Sequence, residues 1–92
     1  MIRSFRHKGL KLLFDNDDRR KVQPAQADKI GRILLALNSA VQAEDMALPG
    51  FRLHALRGDL AGFWAVSVSG NWRLVWRFDG ADAVDVDLVD YH

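Results

Sequence analysis

At Leu48-Pro49-Gly50 the spacing of apolar residues along the chain changes from the helical period of 3.6 to the strand period of 2. Before this point Ile30, Ile33, Leu34, Leu37 and Val41 recur on one helical face, with Lys29 and Arg32 off it. Pro24 stands where such a helix begins, and its missing N–H costs nothing at a first helical position. The pattern predicts a helix from Pro24 to about Gln42. After the switch, apolar residues alternate through residues 51–56, 62–69, 72–78 and 83–89, with turn signals at Gly70-Asn71 and Asp79-Gly80. Helices first and hairpin-linked strands afterwards imply an α+β fold, two N-terminal helices packed on a small antiparallel sheet.

The segment ahead of Pro24 completes that plan. Residues 2–5 read as a short first strand. Residues 6–15 read as a helix, because Leu10, Leu13 and Phe14 fall at i, i+3 and i+4. Asp15-Asn16-Asp17-Asp18-Arg19-Arg20-Lys21 ends it with charge and turn formers. A length of 92 residues suits one domain over residues 1–92, with one modest core. Cysteine is absent, so neither a disulfide framework nor a thiolate metal site is available. Apolar stretches fall far short of the ~20 residues that span a bilayer. The basic residues near Met1 precede no long apolar run. These features lead us to expect a cytoplasmic protein with no membrane partner.

Alternation sorts the faces of the strand over 72–78. Trp72, Leu74, Trp76 and Phe78 point one way, and Arg73, Val75 and Arg77 the other. Burying the aromatic set against the helices leaves both arginines on the open face. The last strand divides into Val84, Val86 and Leu88 against Asp85 and Asp87. A three-residue turn between these strands sets the valines in the core and the aspartates beside Arg73, whereas a two- or four-residue turn reverses the faces. Packing favours the three-residue turn.

The net charge of +1 conceals an asymmetry: residues 1–57 carry eleven Lys or Arg against six Asp or Glu, and residues 58–92 carry two against six. A basic first half is compatible with RNA contact, and equally with a solvated surface. Phosphate-cradling glycine loops, His-x-x-x-His pairs and Gly-x-Ser-x-Gly elbows are absent. His7, His54 and His92 are too scattered to indicate a metal centre, and no cofactor is expected. What remains is a sheet face with His54, Arg57, Arg73 and the closing Asp90-Tyr91-His92. Such a set suits RNA cleavage by its own 2′-OH. That reaction needs a base for the 2′ proton, an acid for the 5′ leaving oxygen, and cations around the phosphorane. Imidazole can serve as base or acid near neutral pH. Guanidinium offers paired donors to phosphate. Each residue also has a plain structural reading: His54 as a satisfied strand histidine, the arginines paired with Asp85 or Asp87, and the tryptophans as core.

Five segments carry a resemblance: Phe5-Arg6-His7-Lys8-Gly9-Leu10; residues 45–54, Asp-Met-Ala-Leu-Pro-Gly-Phe-Arg-Leu-His; Leu56-Arg57-Gly58-Asp59-Leu60; residues 62–73, ending Val68-Ser69-Gly70-Asn71-Trp72-Arg73; and Asp87-Leu88-Val89-Asp90-Tyr91-His92. Together they resemble the HigB toxins of the RelE/ParE superfamily, from type II toxin–antitoxin systems. The resemblance implies a microbial-RNase-like fold and an endoribonuclease that cuts translated mRNA in the ribosomal A site. It implies His54 and His92 as proton-transfer residues and Arg57 and Arg73 as phosphate holders. Asp90 and Tyr91 would orient the site or assist proton transfer, and Asn71 would contact a codon base. Arg57 departs from the Lys that relatives often carry, which keeps the charge but removes a proton donor. The implied partners are a helix-turn-helix antitoxin of the HigA type, the ribosome with its mRNA, and operator DNA through the antitoxin complex. Two other readings stay open on the same fold: a non-enzymatic gyrase-poisoning inhibitor, and an inactive co-repressor.

Overall fold

The structure, a computed structural model, describes residues 1–91. Two helices, α1 (Lys8–Asn16) and α2 (Pro24–Ser39), precede four strands, β1 (His54–Ala55), β2 (Trp64–Ser69), β3 (Trp72–Asp79) and β4 (Asp82–Asp90). The strands form one antiparallel sheet in the order β1-β2-β3-β4. The α+β expectation holds. The segment expected as a strand at residues 2–5 makes only two parallel bridges, Ile2 to Ala83 and Phe5 to Val86, along the free edge of β4. No helix is long and apolar enough to cross a membrane among the described residues.

Local chemistry sets the helix limits. His7 caps α1: its Nδ1 accepts from the Leu10 N–H at 3.2 Å. The helix closes on Asp17 in the left-handed region, whose N–H bonds the Leu13 carbonyl at 3.0 Å. Leu10 and Leu13 are buried, as the stripe predicts. α2 stops at Ser39, short of the expected Gln42, because Ala40 turns extended and Asp45 Oδ2 accepts from the Val41 N–H at 3.0 Å. That bond draws the chain into a 3₁₀ turn at Ala43–Met46 and leaves Val41, expected in the apolar stripe, 57% exposed.

One face of the sheet packs on the helices. Leu74 and Trp76 of β3 are fully buried with Val66 of β2, and Trp72 and Phe78 pack against the same core. Placing side chains of this size there contributes several kcal/mol, at ~25 cal/mol per Å² of apolar surface. β1 is much shorter than the expected strand over 51–56. Arg52 takes a left-handed φ of 53° and breaks the ladder, Phe51 turns inward to burial, and its carbonyl accepts from the Ser67 N–H at 2.7 Å.

The β3–β4 connection differs from the expected three-residue turn. Asp79 pairs with Asp82, so only Gly80-Ala81 lies between. Taken alone, this reverses the faces of β4, and Val84 does pair with Arg77 on the side away from the helices. The faces are then restored by one extra residue. Asp85 adopts φ 56° and bulges out of the ladder, after which Leu88 pairs with Leu74 and Val86 joins the core. The aspartates are consequently split: Asp85 meets Arg77, and Asp87 sits opposite Val75 rather than beside Arg73.

Candidate functional site

The face of the sheet away from the helices carries the charged residues that the sequence singled out. Register orders them in rows. His54 pairs with Ala65, Ala65 with Val75, and Val75 with Asp87, so one row crosses all four strands with a histidine at one edge and a carboxylate at the other. Ala65 and Val75 are buried and make its apolar floor. The next row runs Ser67, Arg73, Val89. Arg73 is thus two strands and two residues from His54, which puts their Cα atoms about 12 Å apart at ~4.8 Å per strand and ~3.4 Å per residue.

Both residues have defined partners. His54 Nδ1 lies 2.9 Å from the Arg52 carbonyl oxygen. A carbonyl only accepts, so the bond assigns a proton to Nδ1, and in the neutral ring Nε2 is then the acceptor. The left-handed turn at Arg52 that shortens β1 is what brings this carbonyl to the ring. Arg73 Nη1 donates to the Gly70 carbonyl at 2.9 Å and the Trp72 carbonyl at 3.2 Å. Among the described residues no carboxylate forms an ion pair with Arg73. The guanidinium is held in place by these two backbone carbonyls.

Asn71 and the end of β4 meet beside Arg73. The Tyr91 N–H donates to the Asn71 carbonyl at 2.8 Å, which ties the chain after Asp90 to the β2–β3 turn. Asp90 pairs in register with Trp72, and Tyr91 is 39% exposed. His92 lies outside the described residues. Arg57 lies three residues beyond His54. It follows the Leu56–Phe63 backbone bond and precedes a 3₁₀ turn at Gly58–Leu60, toward the end of the sheet where Arg77 lies. The register thus sets Arg73, Asn71 and Tyr91 at the β2–β3 turn, His54 in the row two residues further along the sheet, and Arg57 three residues beyond His54 toward Arg77.

Two residues at that opposite end were not expected. Arg6 comes from the segment beyond β4, yet its guanidinium lies over the Phe63 ring at the head of β2, 5.3 Å from the centroid. It is also 3.8 Å from Asp85 Oδ2, the same oxygen that accepts from Arg77 Nε at 2.8 Å. No spacing in the sequence signals this meeting, because it depends on the fold bringing both chain ends together.

The surface is open. A groove of about 360 Å³ lies elsewhere, between α1 and α2, lined by Leu13, Phe14, Leu34 and Leu35 among others. A row of arginines along one strand face suits a polymeric anion.

Comparison with known proteins gives the family context. Residues 3–92 match the sequence model of a family described as the RelE-like toxin of the type II toxin–antitoxin system HigB. The chain is similar to the protein named Endoribonuclease HigB from Proteus vulgaris, 38% identical over 92 residues that cover the whole of both chains.

Proposed function

The chain belongs to the HigB-like family, RelE-like toxins of type II toxin–antitoxin systems, and from that we propose that it is a ribosome-dependent endoribonuclease that cuts translated mRNA by attack of a ribose 2′-OH. The relative from Proteus vulgaris is named an endoribonuclease. The observation that carries the reading for this chain is the placement of His54 and Arg73 on the same helix-free face, two strands and two residues apart. One is an imidazole whose Nδ1 faces the Arg52 carbonyl, and the other is a guanidinium held by the Gly70 and Trp72 carbonyls.

In this mechanism His54 Nε2 takes the 2′ proton as the 2′ oxygen attacks phosphorus. The bond from phosphorus to the 5′ oxygen breaks, leaving a 2′,3′-cyclic phosphate on one fragment. The departing 5′ oxygen takes a proton from an acid, and in this reading His92, the other proton-transfer residue that the resemblance implies, fills that role. Arg73 stabilises the charge that develops on the non-bridging oxygens. Asp90 and Tyr91 orient the acid or assist its proton transfer, and Asn71 meets a codon base beside the scissile linkage. Arg57 holds backbone phosphate. A type II toxin is neutralised by a protein antitoxin; here we take that partner to be of the helix-turn-helix HigA type, with the complex binding operator DNA.

The test is to map mRNA 5′ ends after induction, with and without active translation. Cuts phased to codons that vanish when translation is blocked support the reading. Cuts that persist on naked RNA remove the ribosome from it, and growth arrest without any cuts overturns it in favour of a non-enzymatic inhibitor.

A further inference from the structure

Arg6, Arg77, Asp85 and Phe63 form a second charged group on the same face as His54 and Arg73. Resting on the cleavage reading, we propose that it is a binding subsite for the RNA backbone, which takes a phosphodiester flanking the one that is cut, with Asp85 holding its affinity in check.

Three observations lead there. The group is in line with Arg73: Arg73, Val75 and Arg77 alternate along β3 on one face, so an extended polyanion leaving Arg73 passes over the buried Val75 and arrives at Arg77. Four residues at ~3.4 Å put the two arginines about 14 Å apart, which places the second contact beyond the scissile linkage. The charges do not cancel, because two guanidinium groups share one carboxylate oxygen, leaving one positive charge over. The donors are also presented to solvent. Arg77 spends its Nε on Asp85, so its terminal nitrogens are left for an incoming anion, and the Arg77 and Arg6 side chains are 45% and 53% exposed while that of Asp85 is 26% exposed.

Phe63 and the bulge fix this geometry. The Arg6 guanidinium carbon lies over the Phe63 ring, 5.3 Å from its centroid, a cation–π contact that holds the side chain on this face. The left-handed φ at Asp85 turns the carboxylate onto the open face, and the Ser4 Oγ accepts from the Asp85 N–H at 2.9 Å to hold the bulge. A brace that only fastened the N-terminal segment would need one arginine for one carboxylate. The extra cation, aligned with Arg73, is what a phosphate subsite requires.

The experiment is a fluorescence-anisotropy titration of the full chain with a short, labelled single-stranded RNA, 2′-O-methylated so that it stays uncut, across a salt series. Arg6→Gln and Arg77→Gln are each expected to weaken binding severalfold and to reduce the slope of log K against log salt by about 0.7, one phosphate contact on a single strand. Asp85→Asn, which retains a residue type tolerant of left-handed backbone, is expected to tighten binding roughly two- to fivefold. Arg3→Gln, which removes an arginine paired with Asp79 and Asp82 instead, is expected to change neither affinity nor slope. Thermal unfolding of each variant confirms that it is folded. Unchanged affinity and slope in both Arg6→Gln and Arg77→Gln overturn the proposal, as does weaker binding by a folded Asp85→Asn variant or no binding by the unsubstituted chain. Failure of this subsite leaves the cleavage reading to its own translation-dependent test. If the arginine variants lose RNA while the unsubstituted chain cuts no message, the subsite stands and the cleavage reading falls.

Discussion

Arg77 Nε donates to Asp85 Oδ2 at 2.8 Å, and the bond exists because Asp85 occupies left-handed backbone at φ 56°. The same bulge that frees this carboxylate to face the arginine also returns Val86 and Leu88 to the helix side of β4. One residue therefore sets both the core register and the charge pattern of the opposite face.

The conformation at Asp85 predicts a sharp dependence on side-chain shape. A β-branched residue is strained at positive φ, so Asp85→Val is expected to destabilise the chain by about 1–3 kcal/mol. Asp85→Gly accepts the conformation and should cost less than Asp85→Val despite losing the same carboxylate. Urea unfolding of the two variants checks the order; equal losses would mean that the ion pair, not the backbone, carries the effect.

Arg73→Ala is expected to lower the rate of message cleavage by roughly 10²–10³ without lowering thermal stability, since it removes a cation aimed at developing charge and no core contact. Arg73→Lys should recover part of the activity only, because an ammonium keeps the charge but not the planar fork. Time courses on a translated message give the rates, and a full rate in Arg73→Ala would reduce the residue to a surface charge.

His54→Gln should abolish detectable cleavage and growth arrest while leaving the sheet intact, because His54 is exposed at a strand edge and its loss opens no cavity. Circular dichroism and thermal unfolding establish that the variant folds. Normal toxicity in a folded His54→Gln protein would exclude that ring as the base.

Gly9 is closed to any side chain. A Cβ there would come within 2.7 Å of the Lys21 carbonyl oxygen and of His7 Cε1. Backbone on one side and the capping histidine on the other cannot both yield, so Gly9→Ala is expected to destabilise by about 1–3 kcal/mol. Denaturant titration measures this, and a change within error would mean that the α1–α2 connection shifts freely.

The turn between the helices predicts one acid-sensitive contact. Asp18 accepts from Arg20 through Nε at 3.0 Å, Nη2 at 2.8 Å and the backbone N–H at 3.1 Å. These bonds hold its carboxyl down at about 2 against an ordinary 3.8, the arginine side chain being the larger cause. A depressed acid stabilises the fold above its unfolded pKa and ceases to do so as pH falls through the folded one. The melting-temperature gap between the parent chain and Asp18→Asn should therefore be constant above about pH 5 and close between pH 3.8 and about 2. A gap that persists at pH 2 would point to a role for Asp18 other than its charge.

Much of this architecture can be read from residue order, because helices and strands announce themselves through near neighbours. The stripe of Ile30, Ile33, Leu34 and Leu37 and the aromatic alternation from Trp72 to Phe78 each record which side of an element meets the core, and all of those residues pack there. The same alternation puts Arg73 and Arg77 on the free face, and with family likeness it marks His54 as a reactive candidate. Pairings between distant segments leave no such record. The bulge at Asp85, the left-handed Arg52 that cuts β1 short and supplies a carbonyl to His54, and the reach of Arg6 to Phe63 all arise when separate stretches compete for one space. Periodicity is a property of a few consecutive residues, whereas register and ion pairing minimise the energy of the assembled sheet, and only the folded chain evaluates that sum.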